Sequence, residues 1–432
     1  MLRSLSDSGS PPQSAVAVDS STRRRWVVIG LLTLAAIVAY IDRVNLSIAV
    51  VDVDFKRYFQ LDNNDRGLVS SAFFWSYALF QIPAGWVVDR YGSKYPMAIS
   101  FALWSVMTAL TALTTGFAAL FSLRLAMGVG EAAMHPASMR WIRCNFPETA
   151  RGLAIGVFMS GTKLGPAVGA VASAWLIGSQ GWRVMFVVLG LGALIWLIPW
   201  LLCVKDDRPV RADRPEQSAA VRLPLRPLLA SPVLWGSVIG TFCYMYFVYF
   251  CLTWMPAYLS DARGLSLGSS GLYTTFSFAG MAVMSIAAGW AADRLIGRGG
   301  NPVNVRKSFT IAGFLLASTE VIGGNSTSLH TALLFSVLSL SGLGLATANY
   351  WALTQTLIPG SSIGRIVGIQ NCAASLAGIV APILTGWLVD KTGSYAAPMQ
   401  TVVFFLALGI GAYVLLVREK HAPAVVSNPD VV

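Results

Sequence analysis

Tyr40-Ile41-Asp42-Arg43-Val44-Asn45-Leu46-Ser47 lies inside an apolar run from about Trp26 to Val51. A run of that length crosses a bilayer, whose hydrocarbon core takes roughly 20 helical residues. At about 1.5 Å of rise per residue, Asp42 and Arg43 fall roughly 5 Å from its middle. Each charge there costs on the order of 2.5–3.5 kcal/mol, less whatever pairing recovers. Neighbouring helical residues point about 100° apart, so the two take different partners. Charge at this depth marks an ion or substrate site by default, and the plainer reading is an ion pair that only braces neighbouring helices.

Working outward, the rest of the chain has the same character. Of 432 residues, 55% are hydrophobic and 12% charged, against about 25% charged in soluble domains. With mean hydropathy at +0.63, this is an all-α membrane protein. Twelve spans are predicted: 26–51, 66–88, 95–115, 118–144, 152–178 and 182–204 in an N-terminal six-helix half (26–204), then 232–259, 268–292, 307–325, 331–357, 364–389 and 396–417 in a C-terminal half (232–417). Residues 1–25 and 418–432 read as cytoplasmic tails, the first disordered. Residues 205–231 read as a solvated linker, rich in Arg and carrying Pro209, Pro215, Pro224 and Pro227. The first apolar run is too long for a signal peptide and lacks a small-residue cleavage site.

The net charge of +11 is explained without a nucleic-acid partner. With both termini inside, most Lys and Arg fall in cytoplasmic segments; Lys56, Arg57, Arg66, Arg183, Arg263 and Lys391 are the exceptions outside. Cys144, Cys203, Cys243, Cys251 and Cys372 form no CxxC, which supports neither a disulfide framework nor a zinc site. No cofactor or metal is implied, and a monomer is expected.

The halves repeat weakly. Gly85-Trp86-Val87-Val88-Asp89-Arg90 closes the second span, and Gly289-Trp290-Ala291-Ala292-Asp293-Arg294 closes the eighth. Arg151-Gly152 opens the fifth span and Gly364-Arg365 the eleventh. A repeated half with sites at the interface is a transporter plan. The charges of these loops are suited to a cytoplasmic gate, latching the halves when that side closes; alternatively they simply end helices in water.

Inside the spans, Glu131 falls near the middle of the fourth, with Arg124 about 10 Å earlier and His135 one turn later. Gly128 and Gly130 allow close helix approach. Lys163, in the fifth, is too deep to snorkel easily and needs an anionic partner, either substrate or a permanent acid such as Glu131 or Asp42. Carboxylates held away from water take protons near neutral pH, so Asp42 and Glu131 are the proton-carrying candidates. A relay role for His135 stands against a packed or surface histidine. Spans ten and eleven carry neutral polar groups: Asn349, Tyr350, Trp351, Thr354, Gln355, Gln370, Asn371 and Ser375. These suit a hydroxylated ligand, and equally suit interhelical hydrogen bonds. An anionic head bound by the first half and a polar body read by the second follows from this division.

These residues carry a resemblance. The segment 40–47, the loop Gly85 to Lys94, Arg124-Leu125-Ala126-Met127-Gly128-Val129-Gly130-Glu131-Ala132-Ala133, Pro136-Ala137 and Arg151-Gly152 resemble the major facilitator superfamily, and within it the anion:cation symporter family of sugar-acid and organic-anion carriers. The second half is similar mainly through its span pattern, Trp351, Pro359 and Asn371. The resemblance implies a lipid-embedded carrier that couples proton entry to carboxylate uptake by alternating access. It implies substrate contacts at Tyr40, Arg43, Tyr77, Trp351 and Asn371, and a protonatable pair, Asp42 and Glu131, with Arg124 as partner. Lys163 stands where sugar-acid members often carry glutamine, and His135 where an aromatic is usual. An extra cation favours a second carboxylate or a different proton count. Sugar acids, other dicarboxylates and aromatic acids stay open, as do a uniporter, a sodium-coupled carrier, a channel and a membrane enzyme, although no nucleophile or metal cluster supports the last.

Overall fold

The structure, a computed structural model, describes residues 14–146, 148–205, 229–357 and 363–421. The helices of the first half are α1 (Ser14–Ala49), α2 (Val53–Phe59), α3 (Asn63–Tyr91), α4 (Lys94–Leu110), α5 (Phe117–Glu131), α6 (Met134–Asn145), α7 (Glu148–Gln180), α8 (Trp182–Ala193) and α9 (Leu197–Cys203). Those of the second are α10 (Pro232–Ala257), α11 (Leu267–Gly297), α12 (Pro302–Ala317), α13 (Glu320–Asn325), α14 (Leu329–Leu357), α15 (Ile363–Thr392) and α16 (Ala396–Leu415). Most of the linker expected at 205–231 lies outside the described residues.

Lipid offers backbone groups no hydrogen bonds, so apolar chain at this depth must bond to itself, and a helix does so locally. The outer surface shows the same solvent: Ile82, Leu202, Leu113, Ile286, Leu79 and Trp175 are each more than two-thirds exposed. Ten helical segments among the described residues are long and apolar enough to cross a membrane. Two of the twelve expected spans are helical but fall short, each for a physical reason. The second, α3, carries Ser70, Ser71 and Ser76 on its buried side and charges at both ends. The ninth is split at Ser318–Thr319, where both hydroxyls turn back onto the carbonyls of Phe314 and Leu316 at 2.8 and 2.6 Å.

The fourth span is interrupted too. Helix α5 stops at Glu131 and α6 restarts at Met134. Pro136 has no N–H to give the carbonyl of Ala132, so an unbroken ladder is not available here. Glu131 is thereby the last residue of a helix deep inside the protein.

Packing then fixes α1. Gly161, Gly165 and Gly169 repeat every fourth residue on α7, and a Cβ at these positions would come within 2.5–2.6 Å of Thr33 O, Tyr40 Cβ and Val44 Cγ1. This glycine ladder presses α7 against the stretch of α1 that carries Asp42 and Arg43. Gly128 does the same for α5 against α3, where an added Cβ would strike Ser76 and Phe73.

The halves meet through α3 with α15, α7 with α11, and α1 with α10. The hydrogen bonds and ion pairs between them, among the described residues, gather away from the termini. Arg66 bonds Asp261 at 2.8 Å and Lys56 lies 3.4 Å from the same carboxylate. Asn63 Nδ2 and the Asn64 backbone N–H donate to Asp390 at 2.9 and 3.2 Å. Deeper in, Thr275 Oγ1 donates to the Ala167 carbonyl at 2.6 Å. At the termini end, Asp89 is paired with Arg140 at 3.5 Å and Asp293 with Arg306 at 3.0 Å, each within its own half. Arg90 lies over Trp86 and Arg294 over Trp290. The side chains of Arg151 and Arg365 are outside the described residues. Among the described residues, the halves are fastened by polar contacts at the end opposite the termini.

Candidate functional site

Arg43 is the centre of the site. Its Nε donates to Glu131 Oε1 at 3.0 Å, and its Nη2 reaches the same oxygen. The guanidinium lies over the rings of Tyr40 (4.4 Å), Phe73 (4.7 Å), Tyr77 (5.0 Å) and Phe74 (5.9 Å). Arg43 is 5% exposed and Glu131 fully buried. A dry arginine among aromatic faces keeps its charge through cation–π attraction and one strong acid partner. The second carboxylate oxygen, Glu131 Oε2, has no partner.

Asp42 faces elsewhere, as adjacent helical positions require. Its Oδ1 accepts from Asn45 Nδ2 at 3.1 Å and its Oδ2 is unpartnered. Arg124 donates through Nη1 to the Asp42 backbone carbonyl at 3.2 Å, not to Glu131 on its own helix. A small void beside the two arginines is bounded by Ser47 and Ser70 and, from the second half, Leu252 and Thr253.

Tyr77 joins Arg43 to His135, whose Nδ1 is 3.3 Å from the Tyr77 hydroxyl. His135 also lies edge-on to Phe158 of α7. Lys163 pairs with neither Asp42 nor Glu131. It is half-buried and has no ion pair or hydrogen bond among the described residues. Seven residues on, and so on the same helix face, Ala170 meets Gly271 of α11. Lys163 therefore lies on the side of α7 turned to the other half, nearer the termini than the point where the helices touch.

The polar groups of the second half divide in two. Gln370 donates to Thr241 and Thr354 at 3.0 and 3.3 Å, Thr354 meets Ser237, and Asn349 bonds back to Leu345. These tie helices together or close on their own. Trp351 and Asn371 stay half-buried, Asn371 with no side-chain hydrogen bond among the described residues. Tyr350 packs at a tilt between Tyr244 (4.7 Å) and Trp351 (5.2 Å), its hydroxyl without a partner among the described residues. Gln355 is outside the described side chains. Sequence reading passed over Tyr249, whose ring is 4.4 Å from Phe74 and so roofs the Arg43 aromatic cluster from the second half. In the sequence it is hidden in the aromatic run Tyr244 to Phe250, where it looks like ordinary apolar filling.

Two helical halves in contact around buried charge, within an apolar exterior, define a membrane-embedded carrier. Residues 32–382 match the model of the Major Facilitator Superfamily, so the chain belongs to that family of transporters and is not an enzyme. Among its relatives is the hexuronate transporter of Bacillus subtilis (strain 168), 30% identical over 413 residues, covering 93% of this chain and 96% of that one. Another is the D-galactonate transporter of Escherichia coli O6:H1, 31% identical over 420 residues, 92% and 96% covered. A third is a probable sulfoacetate transporter of Cupriavidus necator, 31% identical over 406 residues, 90% and 93% covered. These place it in the sugar-acid and anion branch of the superfamily. A crystal structure of a bacterial homolog of the human lysosomal transporter Spinster has the same fold, with TM-score 0.77 and 19% identity, covering 96% of this chain and 100% of the other.

The contacts around Asp261, which join the halves at the end opposite the termini, carry a prediction. Asp261→Asn removes the acid shared by Lys56 and Arg66. A hydrogen bond to a charged group is worth about 1.5–3 kcal/mol, and about 1.4 kcal/mol is tenfold in an equilibrium. The variant is expected to open that end about tenfold more often. Spin labels on α3 and α15 near the contact report it by pulsed distance measurement, and an unchanged distance distribution would count against the assignment.

Proposed function

We propose that this chain is a proton-coupled symporter that imports an organic carboxylate across a bacterial inner membrane, with both termini in the cytoplasm and the half 26–204 moving against the half 232–417 about residues 205–231. The observation that carries the proposal is the buried Arg43–Glu131 pair, together with Lys163 on α7, which has no ion pair among the described residues. Arg43, Arg124 and Lys163 together exceed Asp42 and Glu131 by one positive charge when both acids are ionised. An anionic guest offsets that excess. When Glu131 takes a proton, it loses its hold on Arg43, and the guanidinium becomes free for the guest's carboxylate. Unpaired charge is costly in a closing, low-dielectric seam, so the half-loaded carrier stays put and the loaded one moves. Tyr40, Tyr77, Tyr350, Trp351 and Asn371 then supply hydroxyl, indole N–H and amide contacts to the body of the guest. Asp42 is the second proton site, with Arg124 setting its field. The loops with Asp89, Arg90, Arg151, Asp293, Arg294 and Arg365 close the cytoplasmic end in the opposite conformation.

The relatives' names support sugar acids as the substrate class, and Lys163 narrows it. A second cation suits a guest with two acid groups. The relatives include a probable galactarate/D-glucarate transporter of Bacillus subtilis, 29% identical over 435 residues. In proteoliposomes with an inward-directed proton gradient, labelled glucarate or galactonate is expected to accumulate, and a protonophore should abolish the accumulation. Accumulation that survives the protonophore, or follows sodium instead, would rule out proton coupling. Lys163→Gln should shift preference from di- towards monocarboxylates by about tenfold, as loss of one charge-assisted contact implies. An unchanged substrate profile removes Lys163 from the site.

A further inference from the structure

Asp42 and Glu131 are not the only fully buried acids. Glu320, the first residue of α13, is 0% exposed, and sequence reading passed over it although it falls within a predicted span. The helix break at Ser318–Thr319 puts it at the start of a new helix, whereas the break in the first half leaves Glu131 at the end of one. No ion pair to it exists among the described residues. Ser336 Oγ of α14 is 3.4 Å from its Oε1, and Ser339 Oγ is in close contact with its Oε2. Cys251 and Tyr258 are its titratable neighbours from α10 and the segment after it. Arg263, which shares the neighbour Tyr258, is spent elsewhere. It donates to the Tyr258 hydroxyl and to the carbonyls of Gly323, Gly324 and Ser326. From α16, Met399 packs against Gly324.

We propose that Glu320, between Ser336 and Ser339, is a proton-binding carboxyl in the second half, separate from the acids around Arg43. The hydrogen-bond geometry accommodates the added proton. Ser336 Oγ–H donates to Oε1, the acid's own O–H donates from Oε2 to Ser339 Oγ, and Ser339 passes its hydrogen to the Ser336 carbonyl 3.3 Å away. Every polar atom of the acid is then satisfied with no counter-ion, whereas the ionised form, although Ser336 and Ser339 can both donate to it, is a buried charge with no ion pair among the described residues. Glu320 lies about 9 Å along the chain from Ser326, where the helix ends beneath Arg263. The proton enters and leaves there when the Asp261 end opens.

The test needs no substrate, so it stands or falls apart from the symport reading. Infrared difference spectra of the full chain in lipid are compared for wild type and Glu320→Gln across mildly acid to mildly alkaline pH. A protonated-carboxyl C=O band is expected in the wild type, weakening as pH rises and missing from Glu320→Gln. Ser339→Ala keeps the acid and should shift the band's frequency and midpoint, which covers the case of a Gln variant that does not fold. Absence of the band, a band of constant height throughout, or one indifferent to Ser339→Ala would each overturn the proposal.

Discussion

Glu131→Gln is expected to abolish uphill accumulation while leaving exchange of substrate across the membrane in place. Glutamine keeps the size of the side chain and still offers Arg43 an acceptor oxygen where Glu131 Oε1 receives two donors. It cannot change charge. A carrier locked in the equivalent of the protonated state still rocks when loaded, so counterflow continues. It no longer distinguishes the protonated from the deprotonated cycle, so the gradient has nothing to act on. Accumulation under an imposed proton gradient should fall to the equilibrium level, with counterflow rates changed only modestly. Normal accumulation by the variant would refute Glu131 as an essential proton carrier.

Arg43→Ala should do more damage, and of two separable kinds. It removes the guanidinium from among four rings and leaves Glu131 buried without its partner. Breaking a buried pair from one side costs about 3–5 kcal/mol, since the remaining charge is uncompensated. The melting temperature should drop, and anion binding should be lost. The double variant Arg43→Ala with Glu131→Gln discharges the orphaned acid. Its thermal stability should recover most of the loss, while anion-induced stabilisation stays absent. If the single or the double variant still binds the anion with wild-type affinity, Arg43 is not its anchor.

The fold was readable because lipid imposes one rule on every span: apolar, long and helical. The motif of α1 was readable because buried charge is expensive wherever it occurs. What could not be read is pairing at a distance. Nothing in the sequence ties Arg43 to Glu131, 88 positions away, or names the Asp42 carbonyl as the acceptor for Arg124, although the spacing of about 10 Å did argue against an Arg124–Glu131 contact. The two interrupted spans were also missed as interruptions, since Pro136 and the pair Ser318–Thr319 sit inside otherwise regular apolar runs. In the second half, polarity alone did not separate Gln370, which ties three helices, from Asn371, which is left with an open amide. The charged loops at the termini end suggested a latch, and among the described residues the polar contacts between the halves are at the other end. Sequence marks groups able to pair across a seam, while the conformation decides which seam is shut.

The three glycines that pin α7 to α1 have a consequence for selectivity. Helices locked at every turn travel as one piece, so Arg43 and Lys163 keep a constant separation throughout the cycle. On the proposed roles of Arg43 and Lys163, two positive heads on one helix pair would act as a calliper, sorting molecules by the gap between their own negative ends. Widening that pair by a single methyl, as Gly165→Ala would, should change which lengths of diacid are accepted before it changes how fast any one of them moves.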